Sequence, residues 1–284
     1  MKNHKSYGNF LVLLGAIFWS LNAPLVKYIA IDPFLKCGLR ALIAGVAMAF
    51  FIRPKKLRWN RWMLVYLVSY CGLSLFIILA LSRTDSAIAI GMQYTAIIWL
   101  FLLNWIATKT FDKIDLIPIL VILMGVVFFM CSGGKNDPVG NLLALCEGVF
   151  FAGMTLGSKK AAGENVLGLT ALGNLFTGVL VLSLFPASTA TVVSMNTLEW
   201  IVMLVLGVVQ IGCGYAFYNL GIQRTTPQKA SVIALWEMIL GPVWVALFLG
   251  EYPNGMVLAG FGIILVGMLL DAKKDTLLAK RIKS

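Results

Sequence analysis

The sequence predicts an all-α integral membrane protein of ten transmembrane helices arranged as two inverted five-helix repeats. Three observations predict it. Apolar residues make up 60% of the 284, and Asp, Glu, Lys and Arg only 12%, about half the share in a soluble domain. The chain divides into ten segments, each near the ~20 apolar residues that a helix needs to span the hydrocarbon core. Two sets of five segments also share local motifs.

The elements follow in order. Uncharged runs cover 6–26, 62–82, 86–108, 116–134, 200–223 and 252–270. Two more spans, 138–158 and 230–250, are each interrupted by one acid, Glu147 and Glu237. The span near 34–52 carries Arg40. The run 165–198 is too long for one crossing, and its polar second half, Ala187 to Thr197, is expected to be a loop after a helix at 165–186. A transmembrane barrel would alternate apolar and polar residues in segments of about ten, and these runs do not. The first run exceeds the apolar core of a signal peptide and lacks a cleavage motif, so it is expected to be the first helix.

Net charge is +11, which raises nucleic-acid binding as an option. Its distribution argues otherwise. With the N-terminus inside, 18 of the 23 Lys and Arg fall in cytoplasmic segments and four on the opposite side, with Arg40 inside a span. That bias sets topology and puts both termini in the cytoplasm. The partners expected are the lipid bilayer and a small-molecule substrate, not nucleic acid. A homodimer is left open. Cys37, Cys71, Cys131, Cys146 and Cys213 lack metal-site spacing and are read as free buried thiols.

The repeat is visible in short matches. Gly8-Asn9-Phe10-Leu11 recurs as Gly140-Asn141-Leu142-Leu143, and Trp19 and Lys27 meet Phe151 and Lys159 at the same offset. Arg83-Thr84 recurs as Arg224-Thr225, and Ala89 as Ala230. The two units are residues 1–135 and 136–284. An odd number of crossings per unit inverts the second copy, an architecture of transporters.

These residues resemble the EamA-type branch of the drug/metabolite transporter superfamily. The resemblance runs over about 8–131 and 139–271. It rests on Gly15-Ala-Ile-Phe-Trp19-Ser20 with Asn22, Pro24 and Lys27, and on Arg40-Ala-Leu-Ile-Ala. In the second half it rests on Tyr215-Ala-Phe-Tyr218, Ala230-Ser231, Trp236-Glu237, Leu249-Gly250-Glu251, Gly262 and Gly267. Met238 stands where the family usually has Pro, and Ala96 and Thr110 occupy the first-half positions matching the two acids. The resemblance implies a carrier of small organic solutes, often an exporter, in a bacterial inner membrane.

Ionisable groups inside spans are costly and mark candidate sites. Glu147 shares a helical face with Phe151, Met154 and Thr155, and the repeat-related face carries Gly15, Trp19 and Asn22. Glu147 and Glu237 are the proton-coupling candidates, because an ionised carboxylate at that depth must take up a proton or meet a cation. Arg40 is placed to clamp a carboxylate or phosphate. Trp19, Tyr94, Tyr215, Tyr218 and Trp236 offer rings for stacking or cation–π contact. The substrate-binding candidates are therefore Trp19, Asn22, Arg40, Tyr94, Glu147, Phe151, Tyr215, Tyr218, Trp236 and Glu237. Each has a structural alternative: helix-to-helix hydrogen bonding for the acids, snorkelling or capping for Arg40 and simple packing for the rings.

No enzyme signature is present. The only histidine is His4, and no HExxH, GxSxG or Walker loop occurs. No cofactor or metal is expected. The favoured function is gradient-driven, alternating-access transport of a small zwitterionic or cationic metabolite, with export the favoured direction. The alternatives are a membrane-embedded enzyme acting on a lipid or isoprenoid, and a non-transporting membrane sensor.

Overall fold

In the computed structural model the described residues are 2–109, 116–133, 137–161, 163, 165–225 and 227–281. Among them there is no strand. The helices are α1 (Lys2–Ser20), α2 (Asn22–Tyr28), α3 (Pro33–Ala47), α4 (Arg61–Leu81), α5 (Ser86–Gln93), α6 (Ala96–Thr108), α7 (Leu116–Met130) and α8 (Pro138–Ala161). They continue as α9 (Val166–Leu184), α10 (Pro186–Ala190), α11 (Thr197–Leu204), α12 (Gly214–Ile222), α13 (Pro227–Ala234), α14 (Trp236–Leu249) and α15 (Gly255–Arg281). A π-helical stretch, Val205–Cys213, joins α11 to α12.

Eight helical segments among the described residues are long and apolar enough to cross a bilayer, and Leu116–Met130 is a shorter apolar helix. Their outer faces carry exposed Leu64, Val68, Ile117, Leu120, Val127, Leu247 and Phe248. An apolar belt of that extent cannot face water. It suits lipid, where each backbone group must be satisfied inside the chain.

Helix starts show how. Asp32 accepts from the amides of Phe34 and Leu35, with Pro33 at the first helical position of α3. Asn60 caps α4, Asn165 caps α9 and Asn196 forms a capping box with Glu199. These short side chains take up amides that have no partner within the helix.

The main helix pairs are α4 with α8, α7 with α15, α3 with α9 and α1 with α12. Small residues set their spacing. A Cβ on Gly157 would lie 2.8 Å from the backbone of Tyr66, and one on Gly125 2.7 Å from the carbonyl of Gly260. Between the pairs lies a core that includes fully buried Ile88, Met92, Phe129, Met238 and Ile264.

Four details depart from the sequence reading. Three spans expected as continuous helices are interrupted, at Leu21, at Tyr94–Thr95 and at Leu235. The segment expected as a loop after 186 forms α10 and a 3₁₀ turn, Thr191–Ser194, helped by Thr189 and Thr191 hydroxyls that bond back to the chain. The span expected over 34–52 stops being α-helical at Ala47 and ends in a 3₁₀ turn, Ala49–Phe51. All five thiols are free, but only Cys37 and Cys71 are buried; Cys146 and Cys213 are partly exposed and Cys131 is exposed.

Gly157→Ala is expected to lower the thermal midpoint in detergent, because overpacking a tight contact costs about 1–3 kcal/mol. Gly262→Ala meets nothing within 4 Å and should leave the midpoint unchanged or raise it, since Ala is favoured over Gly in a helix by about 0.5–1 kcal/mol. Equal effects of the two changes would refute this account of the α4–α8 contact.

Candidate functional site

Arg40 lies within α3, and its residue is only 4% exposed. One terminal nitrogen donates to Asn22 Oδ1, at the start of α2. The other donates to the carbonyl and hydroxyl of Ser74 on α4, at 3.2 and 3.1 Å. Nε finds no acceptor. The interruption at Leu21 presents Asn22 at the head of a new helix, where it meets the guanidinium.

Glu147 is fully buried on α8, and neither carboxylate oxygen receives a hydrogen bond. A buried carboxylate without donors is rare and costly. Two charges act on it, those of Glu237 and Arg40. Glu237 is one residue into α14, just past the interruption at Leu235, and is partly exposed. Its field also reaches Tyr94, Tyr215 and Tyr218. Two acids and one arginine therefore share one region.

Rings surround that region. Trp19 packs against Tyr215 and Tyr218, with centroids 5.0 and 4.8 Å apart. Gly214 leaves the room for this, since a Cβ there would sit 2.6 Å from the indole. Trp19 Nε1 is buried without an acceptor. Tyr94, at the end of α5, meets Phe151 edge-on at 6.5 Å. Nine of the ten candidates from the sequence thus fall into one connected neighbourhood.

Trp236 is the exception. Its residue is 47% exposed, and it makes no ring contact or hydrogen bond with the other candidates. Consecutive helical residues point about 100° apart, so a Glu237 turned towards the acids leaves Trp236 on another face. Thr155 is also exposed, its hydroxyl bonded back to the Phe151 carbonyl.

Sequence reasoning missed a second polar layer. Tyr70 on α4 accepts from Asn174 Nδ2 on α9 at 2.7 Å and is hydrogen-bonded to Tyr215. Gln210, in the π-helical stretch, is buried with its Oε1 unpaired. A signal was present: Tyr66, Tyr70 and Ser74 recur every four residues and so share one face of α4.

Lys27 is not a simple interfacial anchor. Its ammonium meets Glu251 Oε2 at 2.6 Å and the Thr84 carbonyl at 3.1 Å. The other Glu251 oxygen accepts from the Ser86 amide and hydroxyl. One carboxylate thereby ties α2, the start of α5 and the α14–α15 turn together. Burial would raise the Glu251 carboxyl, but the bonds from Lys27 and Ser86 outweigh it and hold it below the ordinary 4.5.

Among the described residues, no group of three or more His, Cys, Asp or Glu is placed to hold a metal. A belt of lipid-facing helices around a buried cluster of charges and rings defines a multi-pass membrane protein with an internal polar site. The chain matches the EamA-like transporter family over residues 6–131 and again over 138–271, and it belongs to that family. A Clostridium kluyveri protein described as an "Uncharacterized transporter" is 27% identical over 295 residues, covering 93% of this chain and 92% of its own. A solved crystal structure superposes with a TM-score of 0.61 at 17% identity, over 96% of this chain and 98% of its own, a likeness of fold.

The Glu251 bonds give a pH dependence with a definite sign. A carboxyl held below its unfolded value contributes stability that is present above about pH 4.5 and is lost as the pH falls through the folded value. The thermal midpoint is expected to drop on acidification below that point. Glu251→Gln should lower it at pH 7, by the equivalent of about 1.5–3 kcal/mol for charged hydrogen bonds, and flatten the acid limb. An unchanged acid limb in Glu251→Gln would contradict the assignment.

Proposed function

We propose that the protein is a secondary transporter that moves a small zwitterionic or cationic metabolite across a bacterial inner membrane by alternating access. The observation that carries this reading is Glu147, a fully buried carboxylate with no hydrogen-bond donor, facing the charges of Glu237 and Arg40. Such a group is poised for a positive ligand or a proton. Arg40 complements it by taking the anionic end of a zwitterion, and Trp19, Tyr215 and Tyr218 close over the organic part by stacking or cation–π contact. Glu147 and Glu237 serve as the proton-coupling pair.

Ten crossings in two inverted halves, 1–135 and 136–284, fit this cycle. Paired contacts support the inversion. Gly8 packs on Arg224, and its repeat-mate Gly140 packs on Arg83. Thr225 donates to Asn9, and Thr84 donates to Asn141. The first contact of each kind lies at the start of α1. The second lies beside Lys27, at the far end of α2, because Lys27 bonds the Thr84 carbonyl. Like contacts at opposite ends of the bundle are what an inverted repeat produces.

Proteoliposomes loaded with labelled amino acids or amines test the reading. Glu147→Gln is expected to cut flux by about tenfold or more, the effect of losing a charged partner of a buried ligand, while the protein stays monodisperse. Glu237→Gln should abolish proton-driven accumulation and leave exchange. Flux unchanged in both variants across pH 5–8 would reject the central site. A reporter active only in the cytoplasm, fused at Ser284, is expected to be active; a stable but inactive fusion would reverse the topology.

A further inference from the structure

At the Lys27 end of the bundle a cavity of about 540 Å³ opens between α2, α3, the end of α4 and the α14–α15 turn. Lys27, Lys36, Arg83 and Glu251 are the charged groups on its wall. Two of the three cations are already neutralised, Lys27 by Glu251 and Arg83 by Asp137 at 3.1 Å. Lys36 is not. Its residue is 4% exposed, and among the described residues its ammonium donates only to two neutral carbonyls, those of Val26 and Ile29, at 2.6 and 2.9 Å. An ammonium has three donors, so one N–H remains. The acid whose field reaches it, Asp32, spends Oδ1 on the amides that start α3.

Lys36 and Arg40 are one turn apart on α3, on the same face. The first lines the cavity, and the second reaches the central cluster. The two positive groups form a ladder about 6 Å per step, leading from the open pocket to the buried site.

We propose that this cavity is an outer binding station for the carboxylate of the substrate, held by the free N–H of Lys36 before it passes to Arg40. The inference rests on the carrier reading above and sharpens it: the solute carries a carboxylate as well as a positive group, so it is an amino-acid-like zwitterion rather than a simple amine. Glu147 and Glu237 then take the positive end while Arg40 takes the carboxylate. The same N–H would also suit the phosphate of a lipid headgroup, and the two sources are separable.

The test uses the purified full-length protein and three probes, sodium acetate, betaine and dimethyl phosphate, with ionic strength held constant. Acetate and betaine are expected to raise the thermal midpoint saturably. In Lys36→Gln, whose amide still serves the two carbonyls, the half-saturating concentration should rise by about tenfold, and Lys36→Arg should retain binding. In the unsubstituted protein, acetate should slow amine acylation of Lys36, read by mass spectrometry, without protecting exposed Lys55. Binding unchanged in Lys36→Gln, or no protection of Lys36, overturns the station while leaving the central site to be judged by Glu147→Gln flux. Stabilisation by dimethyl phosphate alone assigns the cavity to lipid and overturns the carboxylate proposal. Saturable acetate binding through Lys36 in a protein that carries only simple amines would retain the anion site and overturn the zwitterionic substrate, leaving the carrier reading itself in place.

Discussion

Arg40 is only 4% exposed, and lipid offers no acceptor, so its donors depend on the chain. Asn22 and Ser74 meet two nitrogens from two other helices. Those bonds hold α2, α3 and α4 in fixed relation around one cation. Ionic groups in a bilayer cost several kcal/mol at least, and this one is incompletely satisfied at Nε. Glu147, within reach of its field, adds a second unsatisfied charge. Charges left in that condition are not stabilisers, because apolar residues would pack more favourably. Their presence is intelligible when a ligand, arriving with complementary charge, supplies the missing partners.

The interrupted helices serve the same constraint. A break in a bilayer frees carbonyls and amides that need partners, and here short side chains provide some of them. Thr95 bonds the Met92 carbonyl, and Ser20 bonds that of Ile17. Trp244 of α14 then donates to the Ser20 hydroxyl at 2.9 Å, locking the break in α1–α2 to a neighbouring helix. The two interruptions at Tyr94–Thr95 and Leu235 lie 141 residues apart, the offset at which Arg83-Thr84 recurs as Arg224-Thr225, and each places a candidate beside the cluster: Tyr94 at the first, Glu237 just after the second. Irregular backbone occurs where it lines the site.

Segment boundaries were legible because hydrocarbon thickness leaves a strong one-dimensional signature. The uncharged runs 62–82 and 86–108 and the span 138–158 correspond to α4, to α5 with α6 and to α8 within a few residues. The candidate positions were legible because charge inside an apolar run is conspicuous, and nine of the ten lie together. What escaped depended on three-dimensional pairing. Pro24 is a local mark of the Leu21 break, since it has no N–H to donate to the Ser20 carbonyl four residues back, but nothing local shows which partner the new helix start will meet. Glu251 and Lys27 are 224 residues apart, and only the packed bundle joins them. Tyr70 and Asn174 look like ordinary residues of apolar helices until α4 meets α9. Trp236 was grouped with Glu237 by adjacency, which on a helix separates side chains rather than joining them.

The two ends of the bundle are built from like contacts but are not equally fastened. Asn9 with Thr225 closes one end by a neutral hydrogen bond, as Asn141 with Thr84 does the other. The second also carries a nearly buried ion pair, with Glu251 held by Lys27 and Ser86 together. The repeat-mate of Lys27 is Lys159, which is exposed, and the position matching Glu251 is Thr110. In the carrier reading, with two inverted halves, a difference in free energy between the two closures comes from what is not repeated, and charged hydrogen bonds out of water are among the stronger single contacts available. In the carrier reading, the resting bias therefore falls towards closure at the Lys27 end. Opening it requires something that competes for Lys27 or Glu251, and the cavity beside them, with the free N–H of Lys36 on its wall, is where a zwitterion would arrive with both charges needed to do so.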